Sequence, residues 1–203
     1  MFTDKKRKLR LLIIASVMNT GLFSLSYYLH WPLWLDTTGT IYISCLLGAP
    51  LGYLAAIINN VFEAVFFMGE KSLLFYLVSM VTAFLTGNLV GKQLRIKMTR
   101  WLTLIFVLII VDSIVAVLIT FAVNGGVPSN DHSLLIYNKM INGGMGTFLS
   151  TVMAVMIIKI PDVVISVALV VLFISVTPNR LKTTKHIILD KVGELNEFGV
   201  SER

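Results

Sequence analysis

The sequence predicts an all-α integral membrane protein, a compact bundle of six transmembrane helices. Hydrophobic residues make up 56% of the chain and charged residues only 14%, whereas soluble domains carry about a quarter charged residues. Mean hydropathy is +0.84, and the apolar runs approach the ~20 residues that a bilayer span requires. The net charge of +6 is concentrated beside the ends of these runs. That pattern fits anionic headgroups and the positive-inside rule better than nucleic acid.

Residues 1–8 form a basic, cytoplasmic N-terminus. The first segment follows, from about Leu9 to Leu29, preceded by Lys5, Lys6, Arg7, Lys8 and Arg10. Its apolar run is longer than the core of a signal peptide and no A-x-A site follows, so a retained span is expected. Tyr27, Tyr28, Trp31 and Trp34 then make an interfacial aromatic belt. The loop from His30 to Thr38 has no Lys or Arg, as an external loop should.

The second segment, about Gly39 to Phe67, is long for one span. Gly48-Ala49-Pro50 offers a split into a short half-helix and a full one, since Pro50 lacks a backbone donor. Thr40, Ser44, Gly48, Gly52, Ala56 and Asn60 recur every fourth residue, a stripe that lets helices approach closely. After a turn at Gly69-Glu70-Lys71, the third segment runs from about Ser72 to Val90. A basic loop follows with Lys92, Arg95, Lys97 and Arg100.

The fourth segment covers about Trp101 to Val123, and Asn124 to Asp131 is a loop by its Gly, Pro and Asn content. The fifth is expected from about Ser133 to Ile158, with Asn142, Gly146, Ser150 and Ala154 on one face. Lys159-Ile160-Pro161-Asp162 reads as a tight turn. The sixth segment ends near Val176, closing a transmembrane domain of residues 9–178. The basic tail, residues 179–203, has Ile188, Val192 and Leu195 at helical spacing, fitting a short amphipathic surface helix.

This segmentation conflicts with the charges. Three basic clusters, at the N-terminus, at Lys92 to Arg100 and after Arg180, should all be cytoplasmic. Three segments between each pair would put the middle cluster outside. Either segment two or five is re-entrant, or the middle loop is an exception. Six spans with both ends inside need one exception and are preferred here.

Polar residues inside apolar runs mark the candidate site. Asp36, Thr37 and Thr38 fit a substrate site under the first external loop, and equally a helix cap. Glu63 lies four residues after Asn59 and three after Asn60, and a carboxylate within a span is costly enough to imply function. Pairing of Glu63 with Lys71 at the interface is the competing role. Asp112 has apolar residues for two turns on either side and must find a partner from another segment. Asn142 is the deepest polar residue of segment five, while Asn138 and Lys139 fit an interfacial start. Cys45 reads as packing. The histidines form no cluster, so no metal or other cofactor is expected. Without Walker, G-x-S-x-G or H-E-x-x-H motifs, no enzyme is expected either.

The stretch Leu46-Leu47-Gly48-Ala49-Pro50-Leu51-Gly52, after a first span and an acidic loop, resembles the substrate-binding membrane subunits (S components) of energy-coupling factor vitamin transporters. The riboflavin-type subunits are nearest. The resemblance implies a multi-pass protein of a bacterial plasma membrane that takes up a small polar, vitamin-like molecule. It implies a transmembrane coupling subunit and ATPase subunits as partners. Ser16 and Thr20, or Ala15 and Asn19, would occupy the family's small-residue docking motif on the first span. The rival expectation is a non-transporting sensor or assembly partner of another membrane protein, whose polar residues only hold helices together.

Overall fold

The computed structural model of the chain describes residues 2–91 and 97–178. Lys92, Arg95 and the expected surface helix of residues 179–203 lie outside the described residues. Those described fold into seven α-helices, with no strand among them: α1 (Phe2–Tyr28), α2 (Thr38–Leu47), α3 (Ala49–Glu63), α4 (Tyr76–Leu89), α5 (Met98–Asn124), α6 (Asp131–Asn142) and α7 (Thr147–Val176). A π-helical turn, Ala64–Met68, extends α3, and a 3-10 helix, Glu70–Phe75, leads into α4. Five helices are long and apolar enough to cross a membrane, and α2 is a shorter apolar helix. This is a multi-pass membrane protein by length and composition. Large apolar side chains such as Phe106, Leu118 and Phe148 face outward. Asn19, Thr40, Asn59, Thr82 and Asp112 are buried. Such an inversion suits a lipid surround, where polar groups must be satisfied internally.

The expected split of segment two occurs at Gly48, which adopts φ 92°, a conformation open to glycine at little cost. There the chain folds back. A Cβ on Gly52 would collide with the Ser44 hydroxyl, and the Asn59 amide lies 3.4 Å from the Asp36 carbonyl. Thus α2 and α3 run antiparallel, and the stripe from Thr40 to Asn60 becomes two small-residue faces pressed together. The stripe continues into α4: Gly52 also meets Ala83, Gly87 meets Ala49, and Asn60 donates to Ser79 (3.2 Å).

Segments five and six differ from expectation. Gly143 to Gly146 separates a short α6 from α7, so Asn142 and Ser150 are not on one helix. Conversely, α7 runs unbroken through Lys159 and Pro161. A turn there would expose backbone groups at bilayer depth, where no water can satisfy them. Losing the one donor at Pro161 costs less. At 30 residues, α7 reaches about 45 Å, longer than the ~30 Å hydrocarbon core.

These changes resolve the charge conflict. Contacts set the direction of each leg: Asn19 meets Gly39 and Thr40, Gly87 meets Ala49, Thr82 meets Asp112, and Ser166 meets Thr38. The chain therefore runs up α1, down the loop with α2, up α3, down α4, up α5 and down α7. Four legs precede the middle basic loop and two follow it. Lys5 to Arg10, Lys97, Arg100 and the end of α7 share one end of the bundle. With Cys45 replaced by alanine, single cysteines at Lys5 and Lys97 should react with a membrane-impermeant maleimide from one side of oriented vesicles, and one at Ser129 from the other. Labelling of positions 5 and 97 from opposite sides would refute the fold-back at Gly48.

Candidate functional site

The loop between α1 and α2 does not stay at the surface. It descends into the bundle, turning at two non-glycine residues with left-handed backbone, His30 (φ 52°) and Leu35 (φ 54°). That conformation costs roughly 1–2 kcal/mol per residue. At Leu35 it is held by Asp162 of α7, whose Oδ1 accepts the N–H groups of Trp34 (2.9 Å) and Leu35 (2.8 Å). Hydrogen bonds to a charged group contribute about 1.5–3 kcal/mol each, enough to offset the strain. The other oxygen, Oδ2, pairs with Lys159 Nζ at 3.2 Å. Thr38 completes the anchor, its hydroxyl bonding the Leu35 carbonyl (3.0 Å) and Ser166 Oγ (3.2 Å).

The start of α2 is capped from another helix. Thr37 makes no side-chain cap bond. Instead Asn19 Oδ1 accepts the N–H groups of Gly39 and Thr40, and its amide donates to Thr40 Oγ1 at 2.9 Å. Ala15 is buried against the same place, since a Cβ on Gly39 would strike its carbonyl oxygen. Of the residues expected at a docking face, Ala15 and Asn19 are thus inside the bundle. Ser16 and Thr20 are half-buried, joined by a bond from the Thr20 hydroxyl to the Ser16 carbonyl (3.0 Å).

Above this anchor lies a cavity of about 300 Å³. It sits in the half of the bundle away from the basic clusters. Asp36, Glu63 and Lys159 bring charge to it, and Trp34, Phe67 and Phe75 bring rings. Ser72 of the 3-10 helix, Thr120 and Asn124 of α5, and Ser129, Asn130 and Ser133 of the α5–α6 connection and α6 add neutral polar groups to its lining. Asn130 is fixed as the cap of α6 through the N–H groups of His132 and Ser133. Glu63 is 5% exposed, and one of its oxygens accepts from Asn59 Nδ2 at 2.6 Å. Lys71 lies at the mouth, exposed, and is not paired with Glu63.

Other expected residues fall around the cavity rather than on it. Asp112 is 1% exposed and accepts from Thr82 Oγ1 at 2.7 Å, while its Oδ1 has no partner. It sits one turn deeper than Ala116, which lines the cavity. Asn60 serves the α3–α4 seam, Thr38 belongs to the loop anchor, and Thr37 is buried at the start of α2. Asn142 is exposed at the end of α6 and does not line the cavity. Lys159 interacts electrostatically with Asp36, Glu63 and Asp112 as well as Asp162. Sequence reasoning passed over Lys159 and Asp162 by reading them as a turn. Their signal is two opposite charges three residues apart inside one apolar run, legible once Pro161 is allowed within a helix. Among the described residues no His, Cys, Asp and Glu group is arranged to hold a metal ion.

The anchor makes a thermodynamic prediction. Lys159→Met leaves Asp162 as an unpaired buried charge, which typically costs about 3–5 kcal/mol. Lys159→Met combined with Asp162→Asn removes both charges, yet the new amide oxygen can still accept from Trp34 and Leu35. Thermal unfolding in detergent should therefore show the double variant melting above the single one. Comparisons with protein-family models, curated proteins and solved structures find no match to this chain.

Proposed function

We propose that this chain is the substrate-binding subunit of an uptake system: it accepts a small polar, vitamin-like molecule from outside, and a separate ATP-driven module powers its passage. One observation carries the binding half of this reading. Charged groups from a loop (Asp36), from α3 (Glu63) and from α7 (Lys159) meet on a cavity of about 300 Å³, a small member of the range of ligand sites. Burying these groups is costly in a membrane protein, and in such a setting an ionisable residue is functional by default. The positive-inside rule assigns the basic end of the bundle to the cytoplasm. The cavity half then faces outward, in a bacterial plasma membrane.

Two connections cover the cavity, and the second is the one suited to gating. The first, with Trp34 and Asp36, is pinned by Asp162. The second, Asn124 to Asn130, contains Gly125 (φ 61°) and Gly126 (φ 94°), which permit reshaping at low cost. The energising partner rests on the resemblance at Leu46 to Gly52. The coupling surface on α1 would have to use its outward face, Val17, Gly21 and Leu25, because Ala15 and Asn19 are turned onto α2.

Purified protein should gain thermal stability from one member of a panel of water-soluble vitamins and related small molecules. A ligand at 100 times its dissociation constant stabilises by about 2.7 kcal/mol. Asp36→Ala and Glu63→Gln should each remove most of that gain. A hit that both variants leave intact would move the site elsewhere. Silence across the panel from folded protein would favour the non-transporting sensor or assembly partner.

A further inference from the structure

The cavity has neutral donors in Ser72, Thr120, Asn124, Ser129, Asn130 and Ser133, but it is short of free cationic ones. Lys159, the one buried cation among the described residues, is committed to Asp162 at 3.2 Å. The other lining cation, Lys71, is exposed at the mouth, where water screens it. Against these stand carboxylates with free capacity. Glu63 is 95% removed from solvent by its 5% exposure, and Asn59 engages only one of its oxygens. Asp36 Oδ1 is buried without a hydrogen-bond partner, while the backbone N–H groups of Asp36 and Thr37 and the charge of Lys159 act on its carboxyl. Beyond the lining, Asn59 Oδ1 and Asp112 Oδ1 are also buried acceptors without donors. Buried polar atoms are normally satisfied, so such an accumulation needs an explanation. All of these atoms accept, and an anionic ligand would add more acceptors of the same sign.

The apolar wall is equally selective. Phe23 stacks on Trp34 (centroids 6.3 Å, interplanar 14°) and meets Phe67 edge-on (5.4 Å, 86°). Two cavity rings are thereby set in place before any ligand arrives. Ring faces beside carboxylates favour a positive charge, through the ring quadrupole and through Coulomb attraction.

We infer that the cavity takes a small organic cation, an amine or amidine-like group held by Asp36 and Glu63 with its body against Trp34, Phe67 and Phe75. This rests on the reading of the cavity as a ligand site and adds the charge of the ligand. Lys159 stays with Asp162 as part of the anchor and does not contact the cationic group.

Three planar molecules of matched shape test it: benzamidine (cation), benzamide (neutral) and benzoate (anion), titrated calorimetrically into the full chain in detergent. Benzamidine should bind about tenfold more tightly than benzamide, the ratio expected for one charge-assisted bond over a neutral one. Benzoate should not bind. Asp36→Asn and Glu63→Gln should each bring benzamidine close to benzamide, and Lys97→Gln, at the far end of the bundle, should leave the ratio unchanged. Both acid-to-amide variants keep nearly the same shape, and a melting curve checks that they fold. Benzoate or benzamide binding as well as benzamidine would overturn the cationic assignment and leave the ligand site standing. So would a neutral or anionic hit from the vitamin panel when benzamidine fails. If none of the three probes binds, a cationic panel hit lost in both variants would uphold the assignment. Failure of all three probes and of the whole panel would overturn the ligand site itself.

Discussion

The carboxylate of Asp162 is the constraint on which the upper half of this protein depends. It sits within α7, yet its bonds are to the backbone of a loop 127 and 128 residues earlier and to Lys159 one turn away. A loop descending into a bundle has backbone donors that water cannot reach, and each unsatisfied one costs free energy. One oxygen of Asp162 serves two of them, while the other holds the lysine that neutralises it. The left-handed turn at Leu35 is tolerated because of this fixation, and Asp36 is delivered to the cavity as a result. An ion pair that is structural in its own bonding thus sets the position of a neighbouring functional candidate.

The lower half is held differently. There the helices touch through small residues, with Ser44 against Gly52 and Ala49 against Gly87. In lipid there is no hydrophobic drive between helices, so close backbone approach and interhelical hydrogen bonds carry the association. Asn19 adds a cap for α2 that Thr37 does not supply, which explains why an asparagine is buried in the middle of α1. Tight packing below and an open, charged space above divide the bundle.

Acidic side chains from α3, α5, α7 and the descending loop gather around one lysine, and that lysine is already paired. A buried carboxyl that no cation balances must either take up a proton or be met by charge from outside the chain. Here the imbalance lies beside an empty volume lined by rings. This is what supports the proposed ligand-binding reading and the proposed sign of the ligand's charge.

The sequence by itself determined the membrane class, the helical content and the break at Gly48, because these follow from local properties: hydropathy, length and the backbone freedom of glycine. It also marked Glu63 and Asp112, since a carboxylate within an apolar run stands out without any partner being known, and Asp36 in the loop before α2. Direction and pairing were decided only by the tertiary structure. The stripe from Thr40 to Asn60 reads equally well as one long helix or as two faces folded together, for periodicity is blind to a reversal. Lys159-Ile160-Pro161-Asp162 reads as a turn by composition, but burial at bilayer depth makes continuing the helix cheaper than exposing its backbone. Asn142 looked deep because α6 and α7 were read as one element, and the glycines at 143, 144 and 146 place it at the surface. Which acid meets the lysine, and which is left free for a ligand, depends on residues far apart in the chain being brought to the same depth.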